Sequence, residues 1–193
     1  AQLSHPGIVP LYSFGEVDGL WYFVMEHVRG PTLAERLENE NRLPPDEVHR
    51  ILLAVADALD HAHRRGVIHR DIKPANILLD DASGRPRLAD FGISTLEGST
   101  DDLTATGAFV GTPLFMSPEQ AETGTEVDGR SDLYSLGAVA YAMLAGRAPF
   151  SGVSAADVLS RRRREEPLPL LDLVPNLSPD LAHVVMRCLE RDR

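Results

Sequence analysis

Asp71, Lys73 and Asn76 place a carboxylate, an ammonium and an amide within one short stretch of chain. Such a group is poor material for a core, because each member gives up water that only a polar or charged partner can replace. It suits a polyphosphate bound with a divalent metal. Hard Mg²⁺ prefers oxygen ligands and leaves room in its shell for substrate phosphates. A second carboxylate, Asp90, follows Arg87-Leu88-Ala89 and can be delivered to the same rim.

The elements that must hold these groups can be read on either side. Val67-Ile68 leads into the polar knot and Ile77-Leu78-Leu79 leads out of it. After the turn signals Asp81 and Gly84, Arg87-Leu88-Ala89 reads as the returning strand of a hairpin. Upstream, Ile8 to Phe14 and Leu20 to Met25 read as two strands joined around Asp18-Gly19. An isolated hairpin is marginal in water, so a larger sheet is expected around them. Thr32-Leu33-Ala34-Glu35 has the spacing of a capping box at a short helix. Pro44-Pro45-Asp46-Glu47 starts a longer helix with Val48, Leu52, Val55, Ala56, Leu59 and Ala62 on one face and Gly66 at its end. His61 and His63, two apart, point to different helix faces and are expected to be solvated, not chelating.

Further along, the helix opened by Ser131-Asp132 is apolar nearly all round to Leu144 and should be buried. Asp132 is expected to receive backbone N–H groups at that helix start. Ser154 opens another helix carrying Arg161 to Arg164, which reads as a solvated charged face. Ser178-Pro179-Asp180 caps a last helix with Leu181, Val184, Val185, Cys188 and Leu189 as its apolar stripe.

Composition bounds the function. Nineteen Lys and Arg against 29 Asp and Glu give a net charge of −10 over 193 residues, which argues against a nucleic-acid partner. The single cysteine, Cys188, excludes an internal disulfide and fits a reducing, cytoplasmic compartment. Leu133 to Ala145, the longest apolar stretch, is too short and too polar to span a membrane, so no membrane segment is expected here.

His69-Arg70-Asp71, with Asn76 five positions after Asp71, then Asp90-Phe91-Gly92 and Ser117-Pro118-Glu119 in order, resemble the signature of the protein kinase family. Ser117-Pro118-Glu119-Gln120-Ala121 and Arg130-Ser131-Asp132-Leu133-Tyr134-Ser135-Leu136-Gly137 look most like the eukaryotic-like serine/threonine kinases of bacteria. The resemblance implies an α+β, protein-kinase-like fold. Residues 1–28 would be a remnant of the small-lobe sheet with the hinge, and residues 29–193 a mainly helical large lobe. It implies ATP and Mg²⁺ as cofactors and Ser or Thr hydroxyls of proteins as acceptors. Asp71 would take the proton of the attacking hydroxyl, Lys73 would steady the γ-phosphate, and Asn76 and Asp90 would hold Mg²⁺. The backbone of Glu26 and Val28, after a gatekeeper Met25, would bind adenine, with Leu78 as its floor. His69 and Phe91, with Leu11 above, would belong to the apolar stack that aligns the lobes. Asp132 would brace the catalytic-loop backbone.

The same resemblance makes Ile93 to Glu119 an activation segment. Thr104, Thr106 or both would be autophosphorylated and bound by Arg70, for which Asp101 and Asp102 are alternative carboxylate partners, and Thr112 would contact Asp71 and Lys73 at the substrate site. Lys73 after Asp71, and Thr112 before Pro113, are the serine/threonine form. The family's Gly-rich loop and its ATP-binding lysine lie upstream of His5, so the 193 residues by themselves are expected to bind ATP poorly and turn over little. Two other readings stay open from residues alone: a docking module that keeps the fold without turnover, and a small-molecule phosphotransferase of related fold, which normally lacks the segment ending in S-P-E.

Overall fold

The computed structural model describes residues 3–91, 113–122 and 124–191. Two antiparallel strands open it, β1 (Leu11–Val17) and β2 (Leu20–Met25), in the register Leu11↔Met25 to Val17↔Leu20. Asp18 and Gly19 at φ 52° and 80° make the two-residue turn, whose left-handed pair matches the strand twist. The strand expected from Ile8 starts at Leu11 instead. Pro10 has no N–H to give a ladder, and its carbonyl accepts from Glu26 N at 2.9 Å. Ile8 pairs in parallel with Leu88, with Val9 N donating to Leu88 O and Leu88 N to Gly7 O, each at 2.8 Å. Both faces of the hairpin carry exposed apolar side chains, Leu20 at 75 % and Trp21 at 49 % among them.

The chain then crosses to the helical part through Gly30, at φ 133°. A Cβ there would sit 1.9 Å from Leu79 O, so only glycine permits the crossing. The crossing is closed by Leu79 N bonding to Pro31 O and Asp81 N to Arg29 O. Helix α1 (Leu33–Glu40) follows, and Thr32 and Glu35 form the expected capping box, each side chain taking the other's backbone N–H. Helix α2 (Pro45–His63) buries Val48, Val55, Leu59 and Ala62 as expected, and also Ile51 and Ala58.

A 3₁₀ turn (Pro74–Asn76) leads into β3 (Ile77–Leu79), which pairs antiparallel with β4 (Pro86–Leu88), the expected hairpin. A second 3₁₀ turn (Glu119–Ala121) precedes α3 (Gly129–Ala145), which has all but three of its 17 residues buried and packs against α2 and the last helix. A helix apolar on every side needs such a central place. Gly146 ends it in the left-handed region at φ 73°. Around it lie α4 (Ala155–Arg164), α5 (Leu170–Leu173) and α6 (Pro179–Cys188).

Four local expectations are corrected. Helix α3 starts at Gly129 and is capped by Asp128, which accepts from Arg130 N; Asp132 stands a turn further in. Arg162, from the supposedly solvated run, is 3 % exposed. Ser178 occupies the cap of α6 without a side-chain hydrogen bond, and Val184 is exposed while Ala182 takes its place in the core. His61 and His63 are both half-buried: the His61 ring meets that of His5 at a tilt of 39° with centroids 4.8 Å apart, and His63 bonds to Asp132.

Candidate active site

The loop that carries Asp71, Lys73 and Asn76 is held from below by one carboxylate. Asp132, 1 % exposed, accepts from His69 N at 2.9 Å and Arg70 N at 2.8 Å, and His63 Nε2 lies 2.7 Å from its Oδ2. A buried carboxylate is tolerated when every lone pair meets a donor. The expected brace is therefore present, with His63 as a third member that the residue pattern missed. A histidine whose partner lies 69 positions away has no local sign of it.

His69 is fully buried between the two halves of the site. Its Nε2 lies 2.8 Å from Ala89 O and its Nδ1 3.3 Å from Asp71 N, so the neutral ring with hydrogen on Nε2 satisfies both contacts. Burial holds its imidazole below the usual value, against the pull of the Ala89 carbonyl and of Asp132, Asp71 and Asp90. Its ring centroid is 4.5 Å from that of Phe91, as expected of the stack. Leu11 and Phe91 line one groove of about 860 Å³, together with Ile8, Phe14 and Val67, and none of Asp71, Lys73 or Asn76 faces it.

Above this support the expected residues converge. Lys73 Nζ is 2.7 Å from Asp71 Oδ2, and Asn76 Nδ2 donates to the same oxygen at 2.9 Å and to Asp71 O at 2.8 Å. Asp71 and Lys73 are each about half exposed, whereas Asn76 is buried. Asp90 is tied in through the preceding residue, Ala89 N bonding to Asn76 O at 2.9 Å. Arg70 and Asp90 both adopt positive φ, 66° and 63°. Strain in non-glycine residues flanking one site marks a backbone that its surroundings over-determine.

At the crossing between the two parts, Arg87 clamps Glu26 through two bonds of 2.6 and 3.1 Å, and the guanidinium holds the Glu26 carboxyl below its usual range. Val28 is half-buried, and Leu78 lies in β3, bridged to Thr32. The Arg70 side chain is exposed and meets no carboxylate among the described residues. Gly92, Thr104, Thr106 and Thr112 lie outside the described residues.

The segment after them is tied to three other parts of the fold, through Arg162, Ser131 and Arg70. Arg162 donates through Nη1 to Pro113 O at 3.3 Å and to Met116 O, and burial lowers its pKa from the ordinary arginine value. Ser131 Oγ bonds to Glu119 Oε1, and Gln120 joins Ser117 N to Arg70 O. Gln120 lies in the Ser117-Pro118-Glu119-Gln120-Ala121 stretch, but only the fold shows what its side chain contacts.

The site is thus a strained loop braced by a buried aspartate, with an aspartate, lysine and asparagine drawn together above it. The family described as "Protein kinase domain" matches residues 1–193, and the chain belongs to that family. Over its whole length it is 40 % identical to the serine/threonine-protein kinase PknB of Mycobacterium leprae, covering 31 % of that protein. It is equally 40 % identical to the serine/threonine-protein kinase PknB of Mycobacterium tuberculosis, again covering 31 %. A probable serine/threonine-protein kinase PknB of Bifidobacterium longum is 39 % identical, with the whole chain covering 29 % of it. The chain thus spans about a third of the length of the curated relatives it matches. No helix among the described residues is long and apolar enough to cross a membrane.

Proposed function

We propose that this chain carries the catalytic centre of an ATP-dependent protein serine/threonine kinase, with residues 1–28 contributing small-lobe strands and hinge and residues 29–193 the large lobe. The observation that carries this reading is the Asp71 carboxylate, held at 2.7 Å by Lys73 and at 2.9 Å by Asn76 on a loop whose backbone Asp132 fixes. Phosphoryl transfer asks a protein mainly to position groups and to neutralise charge. Asp71 orients the acceptor hydroxyl and takes its proton. Lys73 shares that carboxylate now and is long enough to meet a γ-phosphate beside it.

The donor set suits Mg²⁺. Asn76 spends its Nδ2 on Asp71, which leaves its amide oxygen for a cation, and Asp90 adds one carboxylate. One carboxylate and one amide fall short of an all-protein cage, as suits an ion that completes its shell with water and phosphate. When bound, the ion would neutralise charge on the transferring phosphates. The backbone of Glu26 and Val28 and the side chain of Leu78 would receive adenine. Protein Ser or Thr hydroxyls are the acceptors, with Thr112 at the substrate site, and Arg70, exposed and meeting no carboxylate among the described residues, would bind phosphate on Thr104 or Thr106. The kinase would work on the reducing, cytoplasmic side.

The test is phosphate transfer by the intact protein to protein and peptide acceptors. Asp71→Asn should abolish transfer while nucleotide affinity stays within about threefold, and Asp90→Asn should weaken Mg·ATP binding roughly tenfold or more, having lost a metal ligand. Nucleotide binding without transfer by the unaltered protein would point to a docking module, and equal loss of affinity in both variants would overturn the division of roles.

A further inference from the structure

Gln120 connects two segments of the site that nothing in the sequence relates. Its Nε2 donates to Arg70 O at 2.5 Å, and its Oε1 accepts from Ser117 N at 2.9 Å. Arg70 is the residue at φ 66° immediately before Asp71, and its N–H is held by Asp132 Oδ1 at 2.8 Å. The peptide groups on both sides of the strained residue are therefore gripped by side chains from different elements. Asp132 holds one from α3, and Gln120 holds the other from the turn after Pro118. On the far side, Ser117 is fully buried and the preceding Met116 and Pro113 carbonyls are fixed by Arg162. The segment 113–117 is thus anchored at one end to α4 and at the other to the catalytic loop.

The chemistry of the link is restrictive. It needs a donor and an acceptor on one uncharged group, which a primary amide supplies. An ionised carboxylate would set an acceptor against the Arg70 carbonyl, and an apolar side chain would leave the part-buried Ser117 N–H unpaired and hand the exposed Arg70 carbonyl to water, which does not hold its orientation. We propose that Gln120 is a positioning residue for Asp71, holding the strained Arg70 peptide in the conformation that aims the carboxylate and coupling that conformation to the segment 113–117. This rests on the reading of Asp71 as proton acceptor. Gln120 touches no reacting atom itself, so it acts on turnover and not on nucleotide affinity.

Kinetics of the intact protein with Mg·ATP and a peptide acceptor separate the possibilities. Gln120→Ala should lower kcat about tenfold, the scale of one lost aligned hydrogen bond, with KM for ATP within about twofold. Gln120→Glu should lose as much near about pH 8, where the side chain is ionised, and recover as the pH falls toward about 4.5, where a sizeable share of the carboxyl is protonated. The protonated acid can donate to Arg70 O through its O–H while its other oxygen accepts from Ser117 N. The ratio of Gln120→Glu to parent kcat should then rise about threefold or more across that range, whereas Gln120→Ala stays flat. Both variants within about twofold of an active parent at every pH would overturn the inference alone. So would a loss in both that is equal at every pH and tracks a lowered melting temperature. A parent that transfers no phosphate overturns the kinase reading and this inference with it.

Discussion

Replacing Asp132 should separate the brace from the loop it holds, and the structure sets the scale. Asp132→Ala leaves two backbone N–H groups, those of His69 and Arg70, without the oxygens now 2.9 and 2.8 Å away. Each unmade bond in a buried place costs about 1–3 kcal/mol, so the pair costs about 2–6 kcal/mol. Part of this is returned, because Arg70 at φ 66° is free to relax and the strain there is of order 1–3 kcal/mol. With the His63 contact, worth about 1 kcal/mol, lost as well, the net is about 2–4 kcal/mol, a sizeable share of a domain's ordinary stability of about 5–15 kcal/mol. Asp132→Asn keeps one acceptor and turns an N–H donor toward the other backbone N–H, so roughly half the loss is expected. His63→Ala removes the half-buried third partner and leaves both backbone bonds, for about 1 kcal/mol. The order of destabilisation is His63→Ala, then Asp132→Asn, then Asp132→Ala, with about 2–4 °C in melting temperature for each kcal/mol. Urea and thermal unfolding of the chain, followed by far-ultraviolet circular dichroism, measure it. The one tryptophan, Trp21, sits half-exposed on the hairpin and would not sense α3. If Asp132→Ala unfolded within about 1 kcal/mol of His63→Ala, the two backbone bonds would not carry the weight given them here.

Three further outcomes are expected. Gly30→Ala should cost about 2–3 kcal/mol or more, because φ 133° is hostile to a side chain and the new Cβ meets Leu79 O at 1.9 Å; thermal melts measure it, and a neutral result would mean that the crossing can shift freely. Arg162→Met should free the Pro113 and Met116 carbonyls and speed hydrogen exchange at Ser117 about tenfold, read by mass spectrometry of the peptide spanning 113–121. Buried His69 titrates below its unfolded value, so as pH falls through about 6.5 the unfolded chain takes up the proton first. His69 is then a source of stability at neutral pH that is lost progressively in acid, and His69→Gln should flatten that part of the stability profile in urea unfolding at stepped pH.

Local signals carried far in this chain where the physics is local. A turn built on Asp18-Gly19, a capping box at Thr32 and Glu35, and the hairpin of β3 and β4 all follow from residues within a few positions of one another. The convergence of Asp71, Lys73 and Asn76 was legible for the same reason, since six positions of chain contain them. What escaped depended on distant partners. Arg162 belongs to a run of four arginines that reads as solvated, yet the segment at Pro113 and Met116 folds over it and supplies carbonyls. His63 faces outward by helix periodicity until α3 brings Asp132 against it. The role of Gln120 is invisible in sequence because an amide announces no chemistry until its two backbone partners are known.

The distance along the chain between Asp132 and the loop it braces has a consequence for synthesis. The two bonds to His69 and Arg70 span 63 and 62 positions, so the loop leaves the ribosome well before the carboxylate that fixes it exists. At about 5–20 residues per second, that gap lasts roughly 3–12 s. During that interval the nascent chain carries an unbraced Arg70 and an unaimed Asp71. A loop assembled in this order stays unbraced until α3 emerges and docks against it.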